Sequence, residues 1–182
     1  PLGPKQTVYL SVFNEESQEN GFGRVNLARP SKTLEYFTDT VTYKYVAEAA
    51  GTDRIFYQKG NFRECYDLYL TDNFFKTSTK VSAINPQMAD YRWGSAELFR
   101  WKAYDGTPLK GIVYMPDGVK EGEKLPVMIY FYEKNANNLY TFWSPAPSRS
   151  IVNIPFYTSR GYIVFVPDIV YKVGHPGESA YN

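Results

Sequence analysis

Two unbroken apolar runs, Pro126-Val127-Met128-Ile129-Tyr130-Phe131-Tyr132 and Tyr162-Ile163-Val164-Phe165-Val166, flank a short helical segment. A strand with water on one side alternates apolar and polar residues, whereas a strand without a polar position must be covered on both faces. Runs of this kind form parallel pairs joined by a helical crossover, a βαβ unit. The crossover helix is read over 155–160. Pro155 suits a first helical position, and Gly161 sits where a left-handed cap belongs. Pro167-Asp168 stop the second run. Upstream, 96–104 and 109–115 read as strands joined by Asp105-Gly106-Thr107-Pro108, a tight hairpin signal. A charged loop, 116–124, leads from that hairpin into the first apolar run.

Before Asn85-Pro86-Gln87 the pattern is different. Residues 7–13, 24–28, 41–48 and 54–59 are rich in β-branched and aromatic side chains. Gln18-Glu19-Asn20-Gly21, Arg29-Pro30-Ser31 and Gly51-Thr52-Asp53 carry turn chemistry between them. The clearest alternation is 65–71, with Tyr66, Leu68 and Leu70 on one face and Asp67, Tyr69 and Thr71 on the other. Strands about every ten residues predict a sandwich or propeller blades, and four strands per blade would make about two blades. No internal repeat is visible, so periodicity alone does not choose between them. Pro1-Leu2-Gly3-Pro4 reads as loop, as if the chain began inside a larger protein.

Composition excludes more than it identifies. Twenty basic and nineteen acidic residues nearly cancel, so no charge excess points to nucleic acid or an anionic membrane. No apolar run approaches the ~18 residues of a membrane-spanning helix, and no basic-then-apolar leader opens the chain. Cys65 is the single cysteine and His175 the single histidine, which leaves neither a disulfide framework nor a zinc ligand set, and no cofactor motif is present.

Asp168, His175 and Ser179 imitate a catalytic triad, and Gly177-Glu178-Ser179-Ala180-Tyr181 imitates the first half of a nucleophile elbow. An elbow needs a buried strand before the serine, a helix after it and glycine at the last position. Here a Gly/Pro loop precedes Ser179, and Tyr181 stands in place of the glycine. Triad members also come from separated elements held by a scaffold, so these residues are read as a structured surface loop. Asp168, at the carboxyl end of a parallel strand, is read first as a loop anchor. Glu15-Glu16 are read as a solvated turn, Asn135, Asn137 and Asn138 as polar loop, and Arg100, Lys102 and Lys110 as a solvated strand face.

Asn85-Pro86-Gln87, Trp93-Gly94 and the run Trp101-Lys102-Ala103-Tyr104-Asp105-Gly106-Thr107-Pro108-Leu109-Lys110-Gly111-Ile112-Val113-Tyr114-Met115-Pro116 resemble the propeller-to-hydrolase junction of prolyl oligopeptidase-family serine peptidases. Dipeptidyl-peptidase IV-like and acylaminoacyl-peptidase-like enzymes belong to that family. The resemblance implies incomplete all-β propeller blades over 1–91. Over 92–182 it implies the N-terminal part of an α/β-hydrolase domain, a mixed, mostly parallel sheet that stops before the nucleophile elbow. It implies hydrolysis of oligopeptides, and it makes Tyr132 the residue matching the tyrosine that donates its hydroxyl to the oxyanion. The nucleophilic serine, the aspartate and the histidine are expected beyond Asn182, so the chain by itself is expected to be inactive. The family follows this tyrosine with a Gly-Gly-Pro-like or Ala-Gly-Pro-like turn, where this chain has Glu133-Lys134-Asn135-Ala136-Asn137-Asn138. The resemblance implies no cofactor, and the remaining part of the same protein as partner. It allows a homo-oligomer and leans to a periplasmic or extracellular rather than cytoplasmic setting. A non-catalytic β-rich binding module and an esterase of the same fold are the competing readings. Exopeptidase and endopeptidase action both stay open.

Overall fold

The computed structural model describes residues 7–29, 33–52, 54–72, 74–146, 152–171 and 173–179, the last without its side chain. The expected loop at Pro1-Leu2-Gly3-Pro4, and the Pro30-Ser31 and Asp53 parts of two expected turns, lie outside them. The chain forms two compact units, 1–85 with 140–142, and 86–139 with 143–182.

The first unit is two antiparallel sheets. β1 (Thr7–Phe13), β2 (Asn20–Asn26) and β3 (Glu35–Asp39) lie in the order β1-β2-β3. β4 (Thr42–Glu48), β5 (Ile55–Gly60), β6 (Asp67–Asp72) and β7 (Thr77–Lys80) lie in the order β4-β5-β6-β7. Strands that follow one another in sequence are neighbours in space, the meander of a propeller blade.

Asn20-Gly21 was expected in a turn and lies inside β2. The turn sits earlier, where the Asn14 carboxamide accepts the Glu16 and Ser17 amides at 2.9 and 3.2 Å. Gly21 serves a different need: a Cβ there would stand 2.0 Å from the Phe37 carbonyl oxygen, so only glycine lets β3 approach. β3 and β7 were not foreseen; β7 is a short, exposed, polar Thr-Ser-Thr-Lys edge without an apolar position.

Of the two faces that alternation separates in β6, the more polar one is the more buried. Asp67 and Thr71 are buried while Leu68 and Leu70 are half-buried. The reason is satisfied polarity. Thr71 Oγ1 donates to the Thr77 carbonyl at 2.7 Å, and Tyr69 stacks on Tyr57 with ring centres 5.4 Å apart. Asp67 Oδ1 accepts from Ser82 Oγ at 2.7 Å and Ile84 N at 2.8 Å, and its Oδ2 pairs with Lys80. Burial pushes the Asp67 carboxyl up, but the Lys80, Ser82 and Ile84 bonds outweigh it and hold it below the usual carboxylate range. A group depressed in the fold adds stability above its unfolded pKa, about 3.9, and that contribution is lost as pH falls through the folded value. Urea midpoints should therefore drop between about pH 5 and pH 3. Asp67→Asn should flatten that acid arm and cost about 1–3 kcal/mol at neutral pH; an unchanged arm would remove Asp67 from the account.

The core between the two sheets of this unit is aromatic. Phe75 lies 4.9 Å from Phe22, 4.8 Å from Phe37 and 4.9 Å from Tyr57, measured between ring centres. Phe75 and Phe74 form the tip of the β6–β7 hairpin, at φ +64° and +55°. Such left-handed turn positions ordinarily take Asn-Gly, and a bulky residue there costs roughly 1–2 kcal/mol. The ring contacts offset that strain.

The second unit holds a four-stranded sheet in the order β10-β11-β9-β8, with β8 Ser95–Lys102, β9 Pro108–Met115, β10 Val127–Ile129 and β11 Ile163–Pro167. The β8–β9 hairpin forms as expected. Its register runs from Ser95↔Met115 to Lys102↔Pro108, with Thr107 N on Asp105 Oδ1 at 2.8 Å and Gly106 at φ +86°. Only β10–β11 is parallel, while β8–β9 and β9–β11 are antiparallel. These strands are mixed rather than mostly parallel, because the hairpin contributes half of them.

β11 is an inner strand, and its Val164 and Val166 are buried with Ile112 and Tyr114 of β9. β10 is shorter than the expected 126–132. Its ladder ends where Tyr130 N donates to the Phe165 carbonyl at 3.0 Å. Val127 and Ile129, two residues apart and so on one face of this edge strand, stay exposed instead of covered.

The crossover helix α1 (Ile154–Thr158) puts Pro155 at its second position, after an Asn153 cap whose Oδ1 accepts Phe156 N at 3.0 Å. Gly161 is left-handed as expected, φ +84°. Gly161 N and Tyr162 N close the helix on the Thr158 and Tyr157 carbonyls, both at 3.1 Å, a Schellman closure. The buried Thr158 hydroxyl donates to the Trp93 carbonyl at 2.8 Å. Gly94, at φ +101°, has no room for a side chain, since a Cβ would meet the Met115 carbonyl oxygen at 2.3 Å.

Candidate functional site

The site lies at the carboxyl ends of the parallel pair β10 and β11, where open α/β sheets place functional groups. Tyr132 follows β10 in a bend and is 72% exposed. Its hydroxyl has no hydrogen-bond partner among the described residues. A phenol free of intramolecular bonds at a strand end can donate to a ligand.

Asp168 follows β11 directly, and its N–H donates to the Lys110 carbonyl at 2.9 Å. Its carboxylate turns toward the loop after Tyr132: Oδ1 accepts Asn135 N at 2.5 Å and Ala136 N at 2.8 Å. The one-turn 3₁₀ helix Ala136–Asn138 starts there, with Ala136 and Leu139 buried. Ile169 N donates to the Glu133 carbonyl at 3.2 Å. Asp168 is thus the loop anchor that its position suggested. Asn137 is exposed and Asn138 half-buried, as a polar loop requires. The side-chain nitrogen of Asn135 is buried and has no hydrogen-bond partner among the described residues, a cost with no signal in the local residue pattern.

Behind the sheet, Trp143 Nε1 donates to the Tyr114 hydroxyl at 3.2 Å. Burial pushes the Tyr114 hydroxyl far up, outweighing the Trp143 bond that opposes it, so it stays a neutral phenol. Residues 140–142 belong to the first unit. There Thr42 Oγ1 donates to the Tyr140 carbonyl at 2.8 Å, and Phe142 N to the Tyr66 hydroxyl at 3.2 Å.

Of the three triad look-alikes, Asp168 and His175 each face other partners. The Asp168 carboxylate is engaged by backbone amides, and His175 Nδ1 lies 3.6 Å from Glu178 Oε1. The side chain of Ser179, and Ala180-Tyr181, lie outside the described residues. The segment expected as Gly/Pro loop is a single helical turn, α2 (Pro176–Ser179), because proline is well suited to a first helical position. Glu15 and Glu16 are exposed in the Asn14 turn, Arg100 and Lys102 are exposed, and Lys110 is half-buried. Among the described residues no three His, Cys, Asp or Glu side chains converge to hold a metal, and no helix is long and apolar enough to cross a membrane.

Sequence reasoning passed over Asp117, whose Oδ2 accepts Trp93 N at 2.9 Å and Gly94 N at 3.0 Å. That bond fixes the entry into β8. A lone aspartate in a charged loop carries no local signal for it.

No protein-family model and no curated protein matches the sequence. Solved structures do match its shape. The apo AtxE2 isopeptidase superposes with a TM-score of 0.65 at 14% identity, over 92% of this chain and 24% of that one. The likeness is one of fold. The Pyrococcus horikoshii acylaminoacyl peptidase gives 0.62 at 20% identity, over 90% and 23% of the two chains. Porphyromonas gingivalis dipeptidyl peptidase 4 gives 0.63 at 12% identity, with the same coverage. The chain spans about a quarter of the length of these structures.

Proposed function

We propose that this chain is the part of a serine peptidase that joins the last β-propeller blades, up to about residue 91, to the opening strands of an α/β-hydrolase domain, 92–182. The observation that carries the reading is the exposed Tyr132 hydroxyl at the carboxyl end of β10, in a fold shared with peptidases. A hairpin feeding a parallel pair through a helix is how an α/β-hydrolase sheet begins, and β8, β9, β10, α1 and β11 follow that order. Tyr132 would donate to the oxyanion of the tetrahedral intermediate, where a fixed neutral donor acts on developing charge. Serine, aspartate and histidine of the triad would come from sequence beyond Asn182, and the substrates would be oligopeptides.

The test compares the full-length protein with the 182-residue chain, using peptidyl-amide reporters, simple esters and a fluorophosphonate probe. The full-length protein should prefer peptidyl amides and take up one probe per molecule, outside this segment. The short chain should neither hydrolyse nor label. Labelling of the short chain at Ser179 would overturn the assignment of the nucleophile. Ester preference would move the protein to the acyl hydrolases, and no turnover would leave a binding module.

A further inference from the structure

We propose that Asp168 is a positioning residue for the Tyr132 hydroxyl, an inference that rests on the oxyanion reading of Tyr132. The backbone around Tyr132 is held at few points. Upstream, the last ladder bond is Tyr130 N to the Phe165 carbonyl; downstream, the first is Ile169 N to the Glu133 carbonyl. Next come the two amides, Asn135 N and Ala136 N, both on Asp168 Oδ1. Every one of these holds comes from β11 or the residues directly after it. Tyr132 sits past the edge strand, so β10 supplies no second neighbour to fix its direction.

The Asp168 bonds are the strongest of the set, since amide bonds to a carboxylate are roughly twice as strong as neutral ones. They also work against an opposing force. The buried Asn135 side-chain nitrogen has no partner among the described residues, and water would hydrate it if the loop swung out. Docking of 133–138 therefore depends on Asp168. A Gly-Gly-Pro-like or Ala-Gly-Pro-like turn, as in the family the sequence resembles, would hold the tyrosine by backbone rigidity. Here a longer, polar loop does so through one carboxylate on the next strand.

The experiment uses the full-length protein, a peptidyl-amide reporter and amide hydrogen exchange. Asp168→Ala should lower kcat by up to roughly 100-fold, the scale of a 1 Å misplacement, with KM little changed. Asp168→Asn, which keeps an acceptor oxygen, should recover part of that loss. Exchange at Asn135 and Ala136 should accelerate in the alanine variant. Combining Asp168→Ala with Tyr132→Phe should lower kcat no further than Tyr132→Phe alone, because both changes remove one interaction. Losses that multiply would overturn the positioning role while leaving the Tyr132 reading standing, and so would kcat unaffected by Asp168→Ala. If Tyr132→Phe alone leaves kcat unchanged, the oxyanion reading fails and this inference falls with it. If neither Asp168 variant folds, Asp168 is a folding residue and the inference is wrong.

Discussion

Tyr132→Phe in the full-length protein is expected to lower kcat roughly 10- to 1,000-fold, the range found for single oxyanion donors. The argument starts from what the substitution leaves in place. Phenylalanine keeps the ring, and that ring is mostly in water, so little packing is lost. The hydroxyl makes no bond to described residues that its removal would break, so the folded state should keep its stability. What disappears is a donor that acts more strongly on the oxyanion than on the ground-state carbonyl. The loss should therefore fall on kcat, with KM nearly constant. Steady-state kinetics with a peptidyl-amide reporter, paired with a urea titration, reads both quantities. Normal kcat in a normally folded variant would make Tyr132 a strand terminus and nothing more.

The largest effect on stability is expected at Phe22. Its ring is 5% exposed, stacks on Phe75 and meets Tyr43 edge-on with ring centres 5.7 Å apart. Phe22→Ala should cost about 3–5 kcal/mol, the usual range for a buried phenylalanine. The upper end is favoured because Phe75, at positive φ, loses its stacked partner. Urea unfolding of the full-length protein measures the loss, and Phe22→Leu should recover much of it by refilling volume. A cost under about 1 kcal/mol, the size of an ordinary surface change, would mean that the ring cluster is not the core of its unit.

The sequence was most legible where one residue type answers a local backbone need. β1 ends where its β-branched and aromatic run does. Asp105-Gly106 marked the β8–β9 turn, and Gly161 marked the end of α1. It was misleading where the need came from elsewhere in the fold. Asn20-Gly21 looks like a hairpin turn, yet the glycine answers to the Phe37 carbonyl of another strand. The buried face of β6 is polar because Ser82, Ile84 and Lys80 come round to satisfy Asp67. At the candidate site, the position of Tyr132 at a strand end was readable from the apolar run before it. That the Asp168 carboxylate would hold Asn135 and Ala136 was not readable, because backbone amides of a distant loop leave no trace in side-chain pattern. The strand is shorter than its apolar run because its ladder to β11 ends at Tyr130, and apolar character alone does not say whether a second layer covers a face.

The Phe74-Phe75 tip ties a turn of one sheet to residues of another. A true repeat carries its own instructions: each copy spells out its turns with residues that bend readily. Here the instruction for the last turn of the four-stranded sheet is written in Phe22 and Phe37, on a different sheet. The two sheets are therefore not interchangeable modules, and the four-stranded one, lifted out alone, would lack what tells its chain to turn back.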